Sequence, residues 1–314
     1  MPTAADQLQF RPIDTEAMER VLPYLEFHKE RSCDFSYGGL LMWVDMFEYE
    51  YAVFRDTLFI KGRAPGTVCV SSFFSQKLNM AFSVPLGKLP LNEAIAELKK
   101  WCENRNIPLE FSSVPEESAH KLMELGGKKM KELVSWEDYI YDAGALSTLA
   151  GKKLSKKRNH VNQFKNLYPD WEFHIMQPED VTEIRRVTNR AVEREASQTE
   201  EARQERELAG LLLTEVEKGN KHLIGGVLTV SGQIVAYTIG DMLGDTLYIH
   251  VEKAERSVSG SFEMINKSFA EAVTALHPEI THINREDDAG DAGLRLAKQS
   301  YHPLYLLKKY NVSF

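Results

Sequence analysis

The chain has 314 residues, 43% of them hydrophobic and 27% charged, with a formal net charge of -8. That composition suits one large or two medium folded domains and excludes a disordered chain. The acidic balance also excludes a surface given over as a whole to nucleic acid or anionic lipid, leaving only local basic patches for either.

The opening residues, MPTAADQLQFRPID, show neither a basic stretch nor an apolar core, so no signal peptide is expected. A strand at 8–11 and a helix at 15–25 come first. A poorly periodic region at 38–47 leaves room for another helix. Strands at 49–54 and 57–61 form a hairpin around Arg55 and Asp56, and a further strand is expected at 80–84. A helix at 91–104 turns Ala94, Ile95, Leu98 and Trp101 inward. A strand at 109–111, a helix at 116–125 and a closing strand at 134–141 complete the first half. Cys33, Cys69 and Cys102 are widely spaced and lack a CxxC pair; they read as small buried hydrophobes of a reducing cytoplasm.

The two halves join through 142–165, where Lys152, Lys153, Lys156, Lys157, Arg158 and Lys165 occur with no acidic residue among them. A helix at 152–166 would place Lys152, Lys156, Asn159 and Gln163 on one side and Leu154 and Val161 opposite. Such a face neutralises phosphates, or is simply solvated.

The second half opens with a strand at 171–176. Pro178 then starts a helix that aligns Val181, Ile184, Val187 and Ala191. A charged stretch at 193–207 precedes a helix carrying Leu208, Leu211, Leu212 and Val216. The long uncharged run at 223–240 breaks at Ser231-Gly232-Gln233, so it reads as a hairpin and not as a membrane span. Strands are expected at 222–230, 234–240 and 246–252. A helix follows with Phe262, Ile265, Phe269, Val273 and Leu276 on one face, then a strand at 281–284, a helix at 291–299 and a last strand at 304–310. The two halves thus repeat one order of elements, dividing the chain into domains 1–142 and 143–314.

Chemistry-bearing residues concentrate in the second half, and the first half is expected to be structural. Simple alternation along 246–252 puts His250 and Glu252 on one face with Tyr248 in line, a pairing suited to a general base or to holding an amine. The turn at 256–261 could receive a phosphate on backbone N–H groups, or Ser259 or Ser261 could cap the next helix. Asn284, Arg285 and Glu286 leave a buried strand, the position where such sheets place their sites. One of Asp287 and Asp288 is expected to cap a helix. Lys298 is expected to pair with an anion and Tyr301 to donate a proton. No HxH, HExxH or clustered Cys/His motif suggests a metal, and no P-loop, GxGxxG or GxSxG motif occurs.

The segment GKKLSKKRNHVNQF at 151–164, with NRED at 284–287, Gly293, Leu294, Arg295, Lys298 and Tyr301 to Pro303, resembles the C-terminal catalytic region of bacterial phosphatidylglycerol lysyltransferases. It is also similar to stand-alone bacterial proteins grouped with that region. The resemblance implies an α+β fold of two tandem GNAT-like acyltransferase units, similar to Fem-type aminoacyl transferases. It further implies a cytoplasmic transferase that moves an aminoacyl group from aminoacyl-tRNA to a hydroxyl or amine, with an anionic lipid head group or a small molecule as acceptor. Under it His250, Glu252 and Tyr301 would be catalytic. Lys156, Lys157, Arg158, Asn159, His160, Asn284, Glu286 and Lys298 would bind substrate. No resident cofactor is expected. Two other readings stand beside it: an acetyl-CoA-dependent N-acetyltransferase, and a non-catalytic protein that binds an anionic ligand.

Overall fold

A computed structural model of the chain describes residues 8–65, 78–194 and 200–314. Cys69 and part of the charged stretch at 193–207 lie outside the described residues.

The first half runs through β1 (Arg11–Pro12), α1 (Thr15–Leu25), a 3-10 turn at Cys33–Phe35 and α2 (Tyr37–Trp43). Asp14 starts α1 by accepting the Ala17 N–H at 2.7 Å. Strands β2 (Glu50–Phe54), β3 (Thr57–Pro65), β4 (Leu78–Phe82) and β5 (Leu86–Gly87) follow, then α3 (Leu91–Glu103), β6 (Glu110–Pro115), α4 (Glu116–Glu124) and β7 (Lys129–Glu132).

The first half ends with β8 (Asp138–Asp142), and the second contains α5 (Ala143–Thr148), α6 (Ser155–Leu167), β9 (Trp171–Ile175), α7 (Asp180–Arg194) and α8 (Glu200–Glu217). Strands β10 (Leu223–Val230), β11 (Gln233–Leu243) and β12 (Thr246–Ala254) form a meander. The chain ends with α9 (Ser261–Leu276), β13 (His282–Asn284), α10 (Ala292–Gln299), β14 (Tyr305–Leu307) and β15 (Lys309–Ser313).

Each half builds a GNAT-like unit. An antiparallel meander (β2-β3-β4 or β10-β11-β12) is followed by a helix and then by a strand parallel to the last of the three, β6 beside β4 and β13 beside β12. The architecture is therefore mixed α and β with two mixed sheets. The strand-to-helix opening of each half is also repeated, since β1 pairs antiparallel with β2 and β9 with β10.

The sheets exchange strands across the expected division at 142/143. β8 joins the second sheet between β13 and β14, and β15 from the far C-terminus inserts into the first sheet between β6 and β7. What reads in sequence as one last strand at 304–310 is two, β14 in one sheet and β15 in the other. The expected strand at 134–141 starts with a 3-10 turn at Val134–Trp136. One apolar core spans both halves: Val21, Leu25 and Leu40 from the first pack with Val181, Ile184, Leu212 and Val227 from the second. Removing that apolar surface from water is the main force holding the units together.

The basic helix runs over Ser155–Leu167, starting three residues later than the expected 152–166, with Lys152, Lys153 and Leu154 in the turn before it. Leu154, Val161 and Phe164 are buried, while Lys152, Lys156, Asn159 and Gln163 are exposed. Cys33 and Cys102 are buried thiols. No helix among the described residues is long and apolar enough to cross a membrane.

Candidate functional site

Strands β12 and β13 run parallel through the pairs Thr246–His282, Leu247–Ile283 and Tyr248–Asn284, then part. The wedge opens at their carboxyl ends, where sheets of this kind place ligands. Here β12 carries a bulge: Ile239 faces Val251 while Gly240 faces Ile249, leaving His250 as the extra residue. A bulge shifts the alternation by one. Ile249 packs towards α9 with Phe269 and Val273, and Val251 packs on the other side in the core shared between halves. Glu252 therefore returns to the α9 side, where the Asn266 amide donates to it at 3.0 Å. His250 and Glu252 occupy opposite faces of the sheet, contrary to the expectation from simple alternation.

The His250 side chain is fully buried and lies between two carboxylates. Its Nε2 meets Asp241 Oδ1, and its Nδ1 meets Glu286 Oε1 at 2.6 Å. Asp241 also accepts the Tyr37 N–H at 2.8 Å, which ties the wedge to α2. Burial works against a charge on the imidazole, but Asp241 and Glu286 outweigh it and raise the pKa to about 10. At neutral pH this group holds its proton, so it serves as a fixed cation and not as a base. A raised pKa contributes stability in full below about 6.5, and that contribution is lost as pH rises through about 10. The urea midpoint of the wild type should fall over this range, and the fall should flatten in His250→Gln. Gly38 makes room for the ring, since a Cβ there would lie 2.5 Å from His250 Cδ2 and Nε2. Gly38→Ala should cost about 1–3 kcal/mol of unfolding free energy in the same assay.

A buried polar chain continues from this wedge into the first half. The Glu286 N–H donates to Asn284 Oδ1 at 2.7 Å, and the Asn284 amide donates to Arg31 O at 2.7 Å and to Asp138 Oδ2 at 2.9 Å. Asp138 accepts the Cys33 N–H at 2.9 Å and pairs with Lys309 at 2.8 Å. Lys309 reaches Asp34 at 2.6 Å. Asp138 opens β8 and Lys309 opens β15, so an ion pair joins the two exchanged strands where they cross. Asp287 lies in the same field; burial pushes its carboxyl up to about 7 against the pull of Lys309 and Lys298.

On the α9 face, Arg285 donates to Glu252 at 2.8 Å. The buried Tyr301 ring lies beneath two cations, Lys157 Nζ at 4.1 Å and Arg285 Cζ at 4.8 Å from its centroid. Burial raises the Tyr301 pKa against the opposing pull of Arg285, so the phenol stays protonated. Two buried atoms here, Arg285 Nη1 and Asn266 Oδ1, lack partners among the described residues.

The residues singled out from sequence separate into three groups. His250, Glu286, Asn284 and Lys298 belong to the buried network. Glu252, Tyr301 and Lys157 meet on the α9 face. Lys156, Asn159 and His160 are exposed on α6. Three roles are corrected. Lys298 donates to the carbonyls of Arg285 (2.6 Å) and Asp287, holding the loop in place of an anion. Asn284 is sealed inside, where it braces the loop against the first half. Arg158 donates to Leu149 O at 2.5 Å and Gly151 O at 3.1 Å, fixing the entry to α6.

The caps also differ from expectation. Asp291, not Asp287 or Asp288, caps α10 by accepting Leu294 N–H at 2.6 Å. Asp288 instead pairs with Arg295 at 2.8 Å and accepts the Tyr139 hydroxyl at 2.7 Å. At the start of α9, Ser261 Oγ donates to Glu255 O at 3.1 Å, and the cap position is Gly260 with φ 81°. A Cβ on Gly260 would lie 2.8 Å from His160 O, so α6 covers this helix start. Glu263 in the first turn takes Lys157 and His160, each at 3.2 Å.

Sequence reading missed Asp34, Asp138, Asp241, Arg285 as a partner of Glu252, and Lys309. One signal was there: Asp241 directly follows the long uncharged run.

The phosphatidylglycerol lysyltransferase C-terminal family model matches residues 26–313. An uncharacterised protein of Mycoplasmoides gallisepticum is 26% identical over 180 residues, 56% of this chain; the match spans only 55% of that protein's length. A conserved protein of unknown function from Bacteroides thetaiotaomicron superposes with a TM-score of 0.83 at 29% identity, covering 98% of this chain and 100% of that one. The L-PGS structure from Bacillus licheniformis gives 0.65 at 16% identity over 96% and 91%. FemX gives 0.63 at 9% identity over 98% and 97%. At those last two identities the likeness is one of fold.

Proposed function

The chain belongs to the phosphatidylglycerol lysyltransferase C-terminal family, and from that premise we propose that it is an acyl-group transferase using aminoacyl-tRNA as donor. The acceptor is a hydroxyl or amine, on an anionic lipid head group or a small molecule, and the reaction belongs in the cytoplasm where charged tRNA is found. The observation that carries this reading is the meeting of the basic helix with the wedge, Lys157 of α6 lying over Tyr301 beside the Glu252–Arg285 pair.

In the reaction the acceptor oxygen or nitrogen attacks the ester carbonyl, the acceptor proton is taken up, and the tRNA ribose hydroxyl leaves with a proton. Glu252, fixed by Arg285 and Asn266, is the carboxylate placed to take the proton or to hold the attacking amine. Tyr301 keeps its proton and donates a hydrogen bond to the developing oxyanion. The exposed Lys152, Lys153 and Lys156 hold the phosphates of the RNA. His250 acts at a distance, its charge orienting Glu286 and the loop that presents Arg285.

The acetyl-CoA reading needs a helix start open to a pyrophosphate. In the second unit that start is covered by α6, and a carboxylate, Glu263, stands in its first turn. This supports the aminoacyl reading. The test is incubation of the protein with a pool of radiolabelled aminoacyl-tRNAs and cell extract, followed by identification of labelled product. Transfer of label to a hydroxyl- or amine-bearing compound is expected. Label that remains on tRNA, together with tight binding of acetyl-CoA in a calorimetric titration, would reverse the choice.

A further inference from the structure

The apolar stripe of α9 runs out of the core at its first turn. Ile265, Phe269 and Val273 are buried, as their spacing requires, whereas Phe262 at the head of the same stripe is 40% exposed. A lone exposed phenylalanine asks for no explanation. This one lies where the candidate site meets the basic helix.

Residues three and four apart are neighbours on a helix surface, so Phe262 lies one turn before Asn266, and Phe269 one turn beyond it. Phe269 packs in the cluster that holds Tyr301, and the Asn266 amide donates to Glu252 at 3.0 Å. One line along α9 therefore passes from Tyr301, by way of Glu252, to the exposed ring. The next residue, Glu263, takes Lys157 and His160 of α6, each at 3.2 Å, and Lys157 in turn covers the Tyr301 ring at 4.1 Å. A Cβ on Gly260 would lie 2.8 Å from His160 O, so the two helices touch just ahead of Phe262. Lys156, one turn before His160 on α6, is exposed, as are Lys152 and Lys153 in the turn before that helix.

RNA offers phosphates and flat base faces to such a surface. The lysines suit the phosphates and have no means of holding a base. An exposed aromatic ring beside them does, since stacking buries apolar area and tolerates any base. The exposed side chains of the adjoining turn of α6, Lys156, Asn159 and His160, are polar, and a bilayer would ask for a wider apolar face than one ring among them.

We propose that Phe262 is the platform on which the terminal nucleobase of the donor RNA stacks, so that the ester on the same nucleotide reaches inward to Glu252 and Tyr301. The inference rests on the aminoacyl-tRNA reading and adds to it the group that grips the end of the RNA.

The test is calorimetric titration of the full chain with an uncharged tRNA and with the same tRNA lacking its 3′-terminal base. The wild type should bind the intact RNA roughly tenfold or more tightly than the abasic one. Phe262→Ala should erase that difference by weakening the intact RNA alone, and Phe262→Trp should keep it. Stacking releases no counter-ions, so Phe262→Ala should leave the salt dependence as it is in the wild type, unlike charge reversal at Lys152, Lys153 and Lys156. Equal binding of the two RNAs by the wild type, or discrimination that persists in Phe262→Ala, would overturn the proposal and leave the donor reading standing. Failure of the wild type to bind either RNA would overturn both. Unchanged RNA binding in Phe262→Ala, with loss of binding to phosphatidylglycerol vesicles, would make the ring a membrane contact and also overturn the proposal.

Discussion

Lys309→Met is expected to lower the unfolding free energy by about 3–5 kcal/mol, the usual cost of removing one partner from a buried ion pair. Lys309 is 1% exposed and Asp138 is fully buried. Without the ammonium, Asp138 keeps, among the described residues, the Cys33 N–H and thiol and the Asn284 amide, which leaves a charge inside protein without its counter-ion. Burial alone would lower the Lys309 pKa, yet Asp138 and Asp34 raise it well above the ordinary lysine value, so the pair is ionised. The cost is a large share of the stability of a typical domain. Urea unfolding measures it directly. The double variant Lys309→Met with Asp138→Asn should recover part of the loss, because no carboxylate at 138 is then stranded. A loss below about 1 kcal/mol in the single variant would place the pair among those that contribute little net stability.

The second large effect is on chemistry. Tyr301→Phe keeps the ring under Lys157 and Arg285 and removes only the hydroxyl, which makes no hydrogen bond to protein among the described residues. Folding should therefore change little. Loss of one hydrogen-bond donor to a developing oxyanion lowers the rate about 10²–10³-fold, and that is the expected fall in the single-turnover rate of aminoacyl transfer. Glu252→Gln should lower the same rate while also loosening Arg285, so its effect is read together with unfolding.

Much of the framework was legible because its physics is local. The apolar positions of α9 recur at helical spacing, and the meander β10-β11-β12 declares itself through strand patterns broken at Gly232 and at Gly244-Asp245. The strand exchange was not legible, because nothing in β8 or β15 names its partner; both read as ordinary closing strands. The bulge at His250 hid for a different reason. One extra residue reverses every later side chain, and the alternation that placed His250 beside Glu252 carries no mark of it apart from Gly240 across the ladder. Lys298 and Asn284 were found as unusual residues but given the wrong work, since a polar side chain that braces a loop and one that meets a ligand look alike in sequence.

The central claim is that the lysine-rich start of α6, with the turn before it, acts together with the second wedge on one charged tRNA, the lysines holding the RNA and Tyr301 serving the ester. Single-turnover transfer from purified aminoacyl-tRNA, followed against RNA concentration and salt, tests it most directly. Reversing charge at Lys152, Lys153 and Lys156 should raise the half-saturating RNA concentration and flatten its salt dependence, with the saturated rate kept. Tyr301→Phe should do the opposite, keeping the half-saturating concentration and losing the rate. If the lysine variant matched the wild type at every RNA concentration, and Tyr301→Phe kept the wild-type rate, the site would lie elsewhere.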